Sequence, residues 1–138
     1  PYHAAFHTSL MKEISESAFK KISKLFFSKP KIPIIDGRGC VWSPFSTNSE
    51  ELYNYTIGTQ VTEMFNFTKS ITTALKEFSP DKLILLGPGN SLGGVTGQII
   101  IENKWNSIET KKSFISKQKK DPFLVSMGIL EQREIVSL

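Results

Sequence analysis

The stretch LILLGPGNSLGG, residues 83–94, is the strongest indication of the fold in this chain. A run of apolar residues ends in glycines at positions 87, 89, 93 and 94, which is typical of a strand that turns tightly into a helix. Glycine loops that bind nucleotide phosphates also place several glycines directly after a strand. The stretch is therefore either a structural turn or a nucleotide site.

The nucleotide interpretation lacks several of its parts. Gly87-x-Gly89-x-x-x-Gly93 has one residue more between its last two glycines than the dinucleotide fingerprint. The acidic residue near the expected spacing, Glu109, precedes lysines and follows a predicted helix, whereas the fingerprint places it after a second strand. The lysine and hydroxyl pair of a P-loop is also missing from the glycine stretch. The sequence favours a structural turn.

Apolar periodicity outside this stretch predicts helices and strands in alternation. In chain order we predict a helix over 10–27, a strand over 32–36, a loop over 37–48, a helix from about 48, a helix over 68–78, a strand over 82–86 and a helix over 95–105. Thr47-x-x-Glu50 predicts a capping box for the second helix. The strand over 82–86 is continuously apolar, as strands buried on both faces are.

This order of elements predicts an α/β fold in which parallel strands are layered with helices. The chain of 138 residues is the size of one ordinary domain, and 39% of its residues are hydrophobic. No apolar run is long enough to span a membrane, and the start at Pro1 shows no charged-then-apolar leader. We therefore expect no membrane association and no signal peptide, and the start resembles the middle of a longer chain.

The cysteine content and the charge distribution limit the location, the metal sites and the partners that we expect for this protein. The one cysteine, Cys40, cannot form an internal disulfide and lacks the Cys/His spacing of a zinc site, so we expect a cytoplasmic location and no metal. The net charge is +4, with lysine clusters at 20–24 and 111–120. These clusters are either solvated helix faces or a surface that attracts an acidic partner. No zinc-finger, homeodomain or RNA-binding signature accompanies them, so we expect no nucleic acid.

The other candidate for chemistry is HAAFHTSLMK, residues 3–12, where His7 stands just before the first predicted helix. A histidine at a helix start is either a capping residue or a general base. The adjacent Thr8 and Ser9 invite a catalytic triad, but we identify no nucleophile-elbow motif as the partner of His7.

Three segments, AAFHTSLMK (4–12), QVTEMFNFTKS (60–70) and LILLGPGNSLGG (83–94), together resemble the C-terminal portion of malonyl-CoA:acyl carrier protein transacylases and related acyltransferase domains of fatty-acid and polyketide synthases. The resemblance covers roughly residues 3–100. It implies that the fold is the C-terminal part of an acyltransferase-type α/β-hydrolase-like core. Residues 1–104 would then belong to that core. Residues 105–138 extend beyond the resemblance, and we expect them to be a basic C-terminal extension in which 123–130 adds a packed segment.

The resemblance assigns roles to individual residues. His7 corresponds to the active-site histidine, a general base toward a serine and then a general acid toward the leaving thiol. Gln60 corresponds to the glutamine whose backbone carbonyl accepts the N–H of the histidine ring. Phe6 and Met11 are assigned to substrate binding, and a Phe before the histidine disfavours an α-methyl branch. Ala4 departs from the His common in polyketide synthase domains, which leaves the acyl selectivity open.

The implied reaction transfers a malonyl group from malonyl-CoA to the phosphopantetheine thiol of an acyl carrier protein, without a metal or organic cofactor. Gly87, Pro88 and Gly89 correspond to a structural turn near the active-site floor. The nucleophilic serine, the oxyanion hole and the arginine for the malonyl carboxylate lie N-terminal to the matched part of the family. We therefore expect this chain to be a fragment that works with the N-terminal part of the enzyme. The alternative is a non-catalytic binding or regulatory module.

Overall fold

A computed structural model describes residues 5–87 and 89–136, so the interpretations of Ala4 and Pro88 lie outside the described residues. The helices are α1 (Lys12–Lys21), α2 (Ser49–Asn54), α3 (Gln60–Thr62), α4 (Phe67–Phe78), α5 (Ser91–Glu102), α6 (Lys111–Lys120) and α7 (Leu130–Arg133). The strands are β1 (Ile34–Ile35), β2 (Val41–Trp42), β3 (Leu83–Leu85) and β4 (Leu124–Ser126). The protein is thus a mixed α/β structure that contains a small parallel sheet.

The chain divides into two compact units, residues 1–70 and residues 71–138, and the division falls within α4. In the first unit the buried apolar residues are Met11, Tyr53, Tyr55 and Ile57. In the second unit they are Leu75, Ile99, Ile100, Ile108, Phe123, Leu124 and Val125. Each unit therefore has an apolar core of its own.

The predicted strand over 32–36 is shorter than expected and belongs to an antiparallel pair. β1 pairs with β2, with Ile34 opposite Trp42. β2 lies inside the segment 37–48, which we predicted to be a loop. Asp36 N–H donates to Cys40 O at 3.0 Å and Gly39 adopts a φ of 74°, so the chain reverses within a few residues. The prediction that this strand runs in a parallel sheet was wrong, because the tight reversal makes its nearest neighbour antiparallel.

The parallel sheet in the second unit consists of β3 and β4, with Ile84 opposite Val125. β4 lies in the segment 105–138 that we predicted to be an extension, so part of this segment is built into the unit that contains β3. Val125 is fully buried, whereas Ile84 is 47% exposed. The prediction that the strand over 82–86 is buried on both faces was therefore wrong for Ile84.

The first helix ends earlier than its apolar pattern predicted. α1 stops at Lys21, and Ile22 is extended. The Tyr53 hydroxyl donates to Ile22 O at 2.8 Å, which satisfies a carbonyl left free at the helix end. Tyr53 also packs its ring edge to face against Phe19, with the centroids 5.4 Å apart. The end of α1 is thus set by a residue more than 30 positions away.

Residues 49–62 form one continuous helical segment with a wide turn in its middle. α2 begins after Asn48, whose side chain accepts from Glu50 N–H at 2.8 Å. The cap is therefore Asn48 and not the predicted Thr47, whose hydroxyl is buried and has no hydrogen-bond partner among the residues that the structure describes. A π turn over Tyr55–Thr59 separates α2 from α3, and Gln60 N–H donates to Tyr55 O across it. This turn sets the direction of the carbonyls of α3.

Two further helices are close to their predicted positions. α4 covers Phe67–Phe78, against a prediction of 68–78. α5 covers Ser91–Glu102, against a prediction of 95–105, and Lys104 at a φ of 51° follows its end. Ile99 and Ile100 are buried in α5, whereas Ile101 is half-buried.

Candidate functional site

His7 and Gln60 meet in the first unit, although 53 residues separate them in the sequence. His7 Nδ1 lies 2.6 Å from the backbone carbonyl oxygen of Gln60. Because a carbonyl oxygen can only accept, Nδ1 carries the proton. In the neutral imidazole the lone pair is then on Nε2, which leaves that nitrogen able to accept a proton.

The carbonyls that meet His7 are free because α3 ends beside them. Helix ends leave their last carbonyls without intrahelical partners, and the backbone becomes extended at Glu63. The backbone N–H of His7 donates to Val61 O at 2.9 Å, while the ring donates to Gln60 O. His7 thus caps the C-terminus of α3 with both its backbone and its side chain.

The backbone of His7 is in the left-handed region, with a φ of 66°. This conformation costs a non-glycine residue about 1–2 kcal/mol, although histidine adopts it more often than most. The two hydrogen bonds to α3 offset that cost. His7 is half-buried, and its ring lies 5.4 Å from the ring of Phe65. The imidazole is therefore fixed by a hydrogen bond and by a ring contact.

The π turn before Gln60 is tied to α1. Ser15, which is buried in α1, donates its hydroxyl to Ile57 O at 2.7 Å. The ring of Phe19 packs against Gly58, where an added Cβ would lie 3.2 Å from Phe19 Cζ. π turns are frequent at functional sites. The helix that presents the Gln60 carbonyl is thus anchored one turn upstream.

The two residues assigned to substrate binding differ in exposure. Phe6 is 54% exposed, and its ring centroid lies 6.4 Å from that of His7. Met11 is only 8% exposed and belongs to the core of the first unit. Phe6 is therefore accessible to a ligand beside His7, whereas the Met11 side chain is buried in the core of the first unit.

An acidic group that the sequence did not single out lies in the same unit. The Asp36 carboxylate accepts hydrogen bonds from the backbone N–H groups of Arg38 and Cys40, from the Arg38 guanidinium and from Trp42 Nε1. Burial would raise the pKa of Asp36, but these hydrogen bonds outweigh it and hold the pKa below its ordinary value. The carboxylate is therefore ionised, and its oxygens are engaged in holding the β1–β2 reversal.

The same reversal is connected to the segment that supports His7. Ser70 Oγ donates to Asp36 O at 2.6 Å, and Asn66 N–H donates to Gly37 O at 2.8 Å. The Tyr55 hydroxyl accepts from Gly37 N–H at 2.9 Å. These bonds fix the reversal against residues on both sides of Phe65, which touches His7.

The expectation that this chain has no nucleophile-elbow motif was wrong at the level of sequence, because the glycine stretch after β3 contains one. Residues 89–93, GNSLG, match G-x-S-x-G and lie where the chain passes from β3 into the start of α5, the strand-to-helix context of that motif. The nucleophile of such an elbow sits on a strained turn. Ser91 is the first residue of α5 and is not among the described residues with positive φ, whereas Gly87 and Gly89 are. The positive φ values among the described residues of this turn therefore fall on glycines, as the structural interpretation predicted.

Comparison of the chain with protein-family models, with curated proteins and with solved structures finds no match. Within residues 5–87 and 89–136, no helix has both the length and the apolar character needed to cross a membrane.

Proposed function

We propose that this chain is part of an acyltransferase-type α/β-hydrolase-like enzyme and supplies its general base, His7. The observation that carries the proposal is the 2.6 Å contact between His7 Nδ1 and Gln60 O, which leaves Nε2 as the proton acceptor. A carbonyl in this position does the orienting work that a carboxylate does in a serine hydrolase triad. The acyl group is malonyl, as in the resembled family.

In the proposed reaction Nε2 removes the proton of a serine hydroxyl as its oxygen attacks the thioester carbonyl of malonyl-CoA. The imidazolium then protonates the departing coenzyme A thiolate, and a malonyl-serine ester remains. In the second half Nε2 takes the proton of the carrier protein's phosphopantetheine thiol, whose sulfur attacks the ester. The proton finally returns to the serine oxygen. The Gln60 carbonyl stabilises the imidazolium in both halves.

The proposal places the nucleophilic serine outside these 138 residues, in another segment or another chain. The exposed lysines of α6, at positions 111, 112, 119 and 120, suit an acidic carrier protein as the partner. No metal or organic cofactor takes part in the proposed chemistry.

A second candidate function has its own observation. His7 completes the end of α3 through its backbone and its ring, and this capping role needs no reaction. In that case the chain is a binding or regulatory module that retains the histidine for structure.

Labelling distinguishes the two functions. The protein is isolated from its source with any polypeptide that accompanies it, and it is incubated with radiolabelled malonyl-CoA and a carrier protein. We expect a malonyl-serine ester outside this chain, transfer of the label to the carrier, and a loss of at least about a hundredfold in rate for His7→Ala. No ester in any fraction would overturn acyl transfer, and an ester on Ser91, abolished by Ser91→Ala, would overturn the external serine.

A further inference from the structure

A cavity of about 400 Å³ lies in the first unit. Aliphatic and aromatic side chains form most of its wall: Phe27, Ile34, Ile35, Trp42, Leu52 and Phe65. Small-molecule sites have volumes of roughly 300–1,000 Å³ and apolar walls with a few polar groups. This cavity has both the volume and the composition of such a site.

The described residues that line the cavity offer no unpaired charge. Asp36 contributes the carboxyl group in the wall, and this carboxylate is paired with the Arg38 guanidinium at 2.6 Å. It also accepts from the backbone N–H groups of Arg38 and Cys40 and from Trp42 Nε1. Burial raises the pKa of Tyr55, so that its hydroxyl is neutral. A charged ligand would lose its hydration here without gaining an ionic partner. The cavity therefore selects against charge.

The remaining polar residues in the wall are Thr56 and Gln60. The Thr56 hydroxyl is already used, since it donates to Leu52 O at 2.7 Å. The Gln60 side-chain amide makes no hydrogen bond to any part of the chain that the structure describes, whereas its backbone carbonyl holds His7. Gln60 thus has one polar group for His7 and a second one that is free for a ligand.

We propose that this cavity binds an uncharged small molecule that has a hydrocarbon body and one polar group. The body packs against the aromatic wall, and the polar group bonds to the Gln60 amide. The ligand contacts Gln60 and Phe65, the two residues that fix the His7 ring. This site goes beyond acyl transfer, since its occupancy requires neither a thioester nor a nucleophile.

The test uses 1-octanol as the neutral probe, with octanoate and octylammonium as charged probes of the same chain length. Trp42 lines the cavity, and Trp105→Phe removes the other tryptophan, so that fluorescence reports on Trp42 alone. We expect a saturable change with 1-octanol and binding at least about tenfold weaker for both charged probes. The His7 ring resonances, which are assigned by comparison with His7→Ala, shift over the same concentration range. They do so because Gln60 and Phe65 contact the His7 ring and also line the cavity that holds the probe.

Two variants locate the probe. Leu52→Phe fills the cavity and weakens 1-octanol binding at least about tenfold, while Leu25→Phe, at a residue that is 89% exposed, leaves binding unchanged. Gln60→Ala removes the side-chain amide, keeps the backbone carbonyl that holds His7, and weakens 1-octanol binding about fivefold. If circular dichroism shows that Leu52→Phe does not fold, Gln60→Ala and the charged probes test whether 1-octanol binds in the cavity.

Several results would overturn the site: no saturable signal, octanoate binding as tightly as 1-octanol, or His7 resonances that do not move. Equal weakening by Leu25→Phe and Leu52→Phe would overturn it as well, because only Leu52 lines the cavity.

Discussion

Gly37 has no room for a side chain, because Phe65 Cδ2 lies 2.5 Å from the position that a Cβ at Gly37 would take. Phe65 in turn touches the His7 ring, and Gly37 O accepts from Asn66 N–H at 2.8 Å. A change at Gly37 therefore reaches the candidate site through one aromatic ring.

We expect Gly37→Ala to lower the free energy of unfolding by about 1–3 kcal/mol, since the added methyl group forces Phe65 from its position. Gly94→Ala is the matched control, because an added Cβ at Gly94 meets no atom of the described residues within 4 Å and Gly94 lies in α5. We expect this control substitution to raise the free energy of unfolding by about 0.5–1 kcal/mol, because alanine has a higher helix propensity than glycine. Urea unfolding measures the free energy of unfolding of both variants. Equal effects of the two substitutions would contradict the close contact between Gly37 and Phe65.

Gln60→Ala leaves His7 in the same tautomer, because the group that accepts the Nδ1 proton is the backbone carbonyl. Nitrogen-15 resonances of the imidazole report the tautomer directly. Gln98→Ala, at an exposed residue of α5, provides the control. A proton that moves to Nε2 in Gln60→Ala would show that the glutamine side chain, and not its carbonyl, orients the ring.

Asp36→Asn tests the pH dependence of stability. The pKa of Asp36 is lowered in the folded protein, so its carboxylate stabilises the fold above the unfolded-state pKa, about 3.9. This contribution is lost as the pH falls through the lower folded-state value. We expect Asp36→Asn to lose about 2 kcal/mol at pH 7 and to show a flatter decline of unfolding free energy below pH 4. Parallel slopes for the two proteins would exclude this assignment.

We expect Thr96→Val to raise the free energy of unfolding by about 1 kcal/mol, since Thr96 is fully buried and its hydroxyl has no hydrogen-bond partner in the described part of the chain. The same substitution at Thr56 serves as the contrast, because the Thr56 hydroxyl donates to Leu52 O. Thr56→Val should lower stability by about 1 kcal/mol. Thermal unfolding of both variants checks the opposite signs, and two shifts of the same sign would argue against the unpaired hydroxyl of Thr96.

Local patterns in the sequence located the elements whose formation depends on nearby residues. The apolar stripe of α4 predicted its position to within one residue at its start, and the glycines at 87 and 89 predicted the turn after β3. The end of α1 was missed because it depends on Tyr53, which lies on another helix. β2 was missed because two residues are too few to show a strand period.

The candidate site was less accessible to local patterns. The contact between His7 and Gln60 joins residues 53 positions apart, and no spacing rule connects them. Only the family resemblance implied a carbonyl partner for the histidine. The saturated carboxylate of Asp36 was not anticipated either, because its donors come from a turn that looked like an irregular loop.

The π turn over Tyr55–Thr59 makes the site sensitive to the length of the chain as well as to its chemistry. An α-helix advances about 100° per residue, so the removal of a single residue from this turn would leave a helix that is still continuous but rotated by that angle. The Gln60 carbonyl would then face away from His7, with every side chain of the site still present. A single-residue deletion around Gly58 would thus preserve the helix but break the hydrogen bond between His7 and the Gln60 carbonyl.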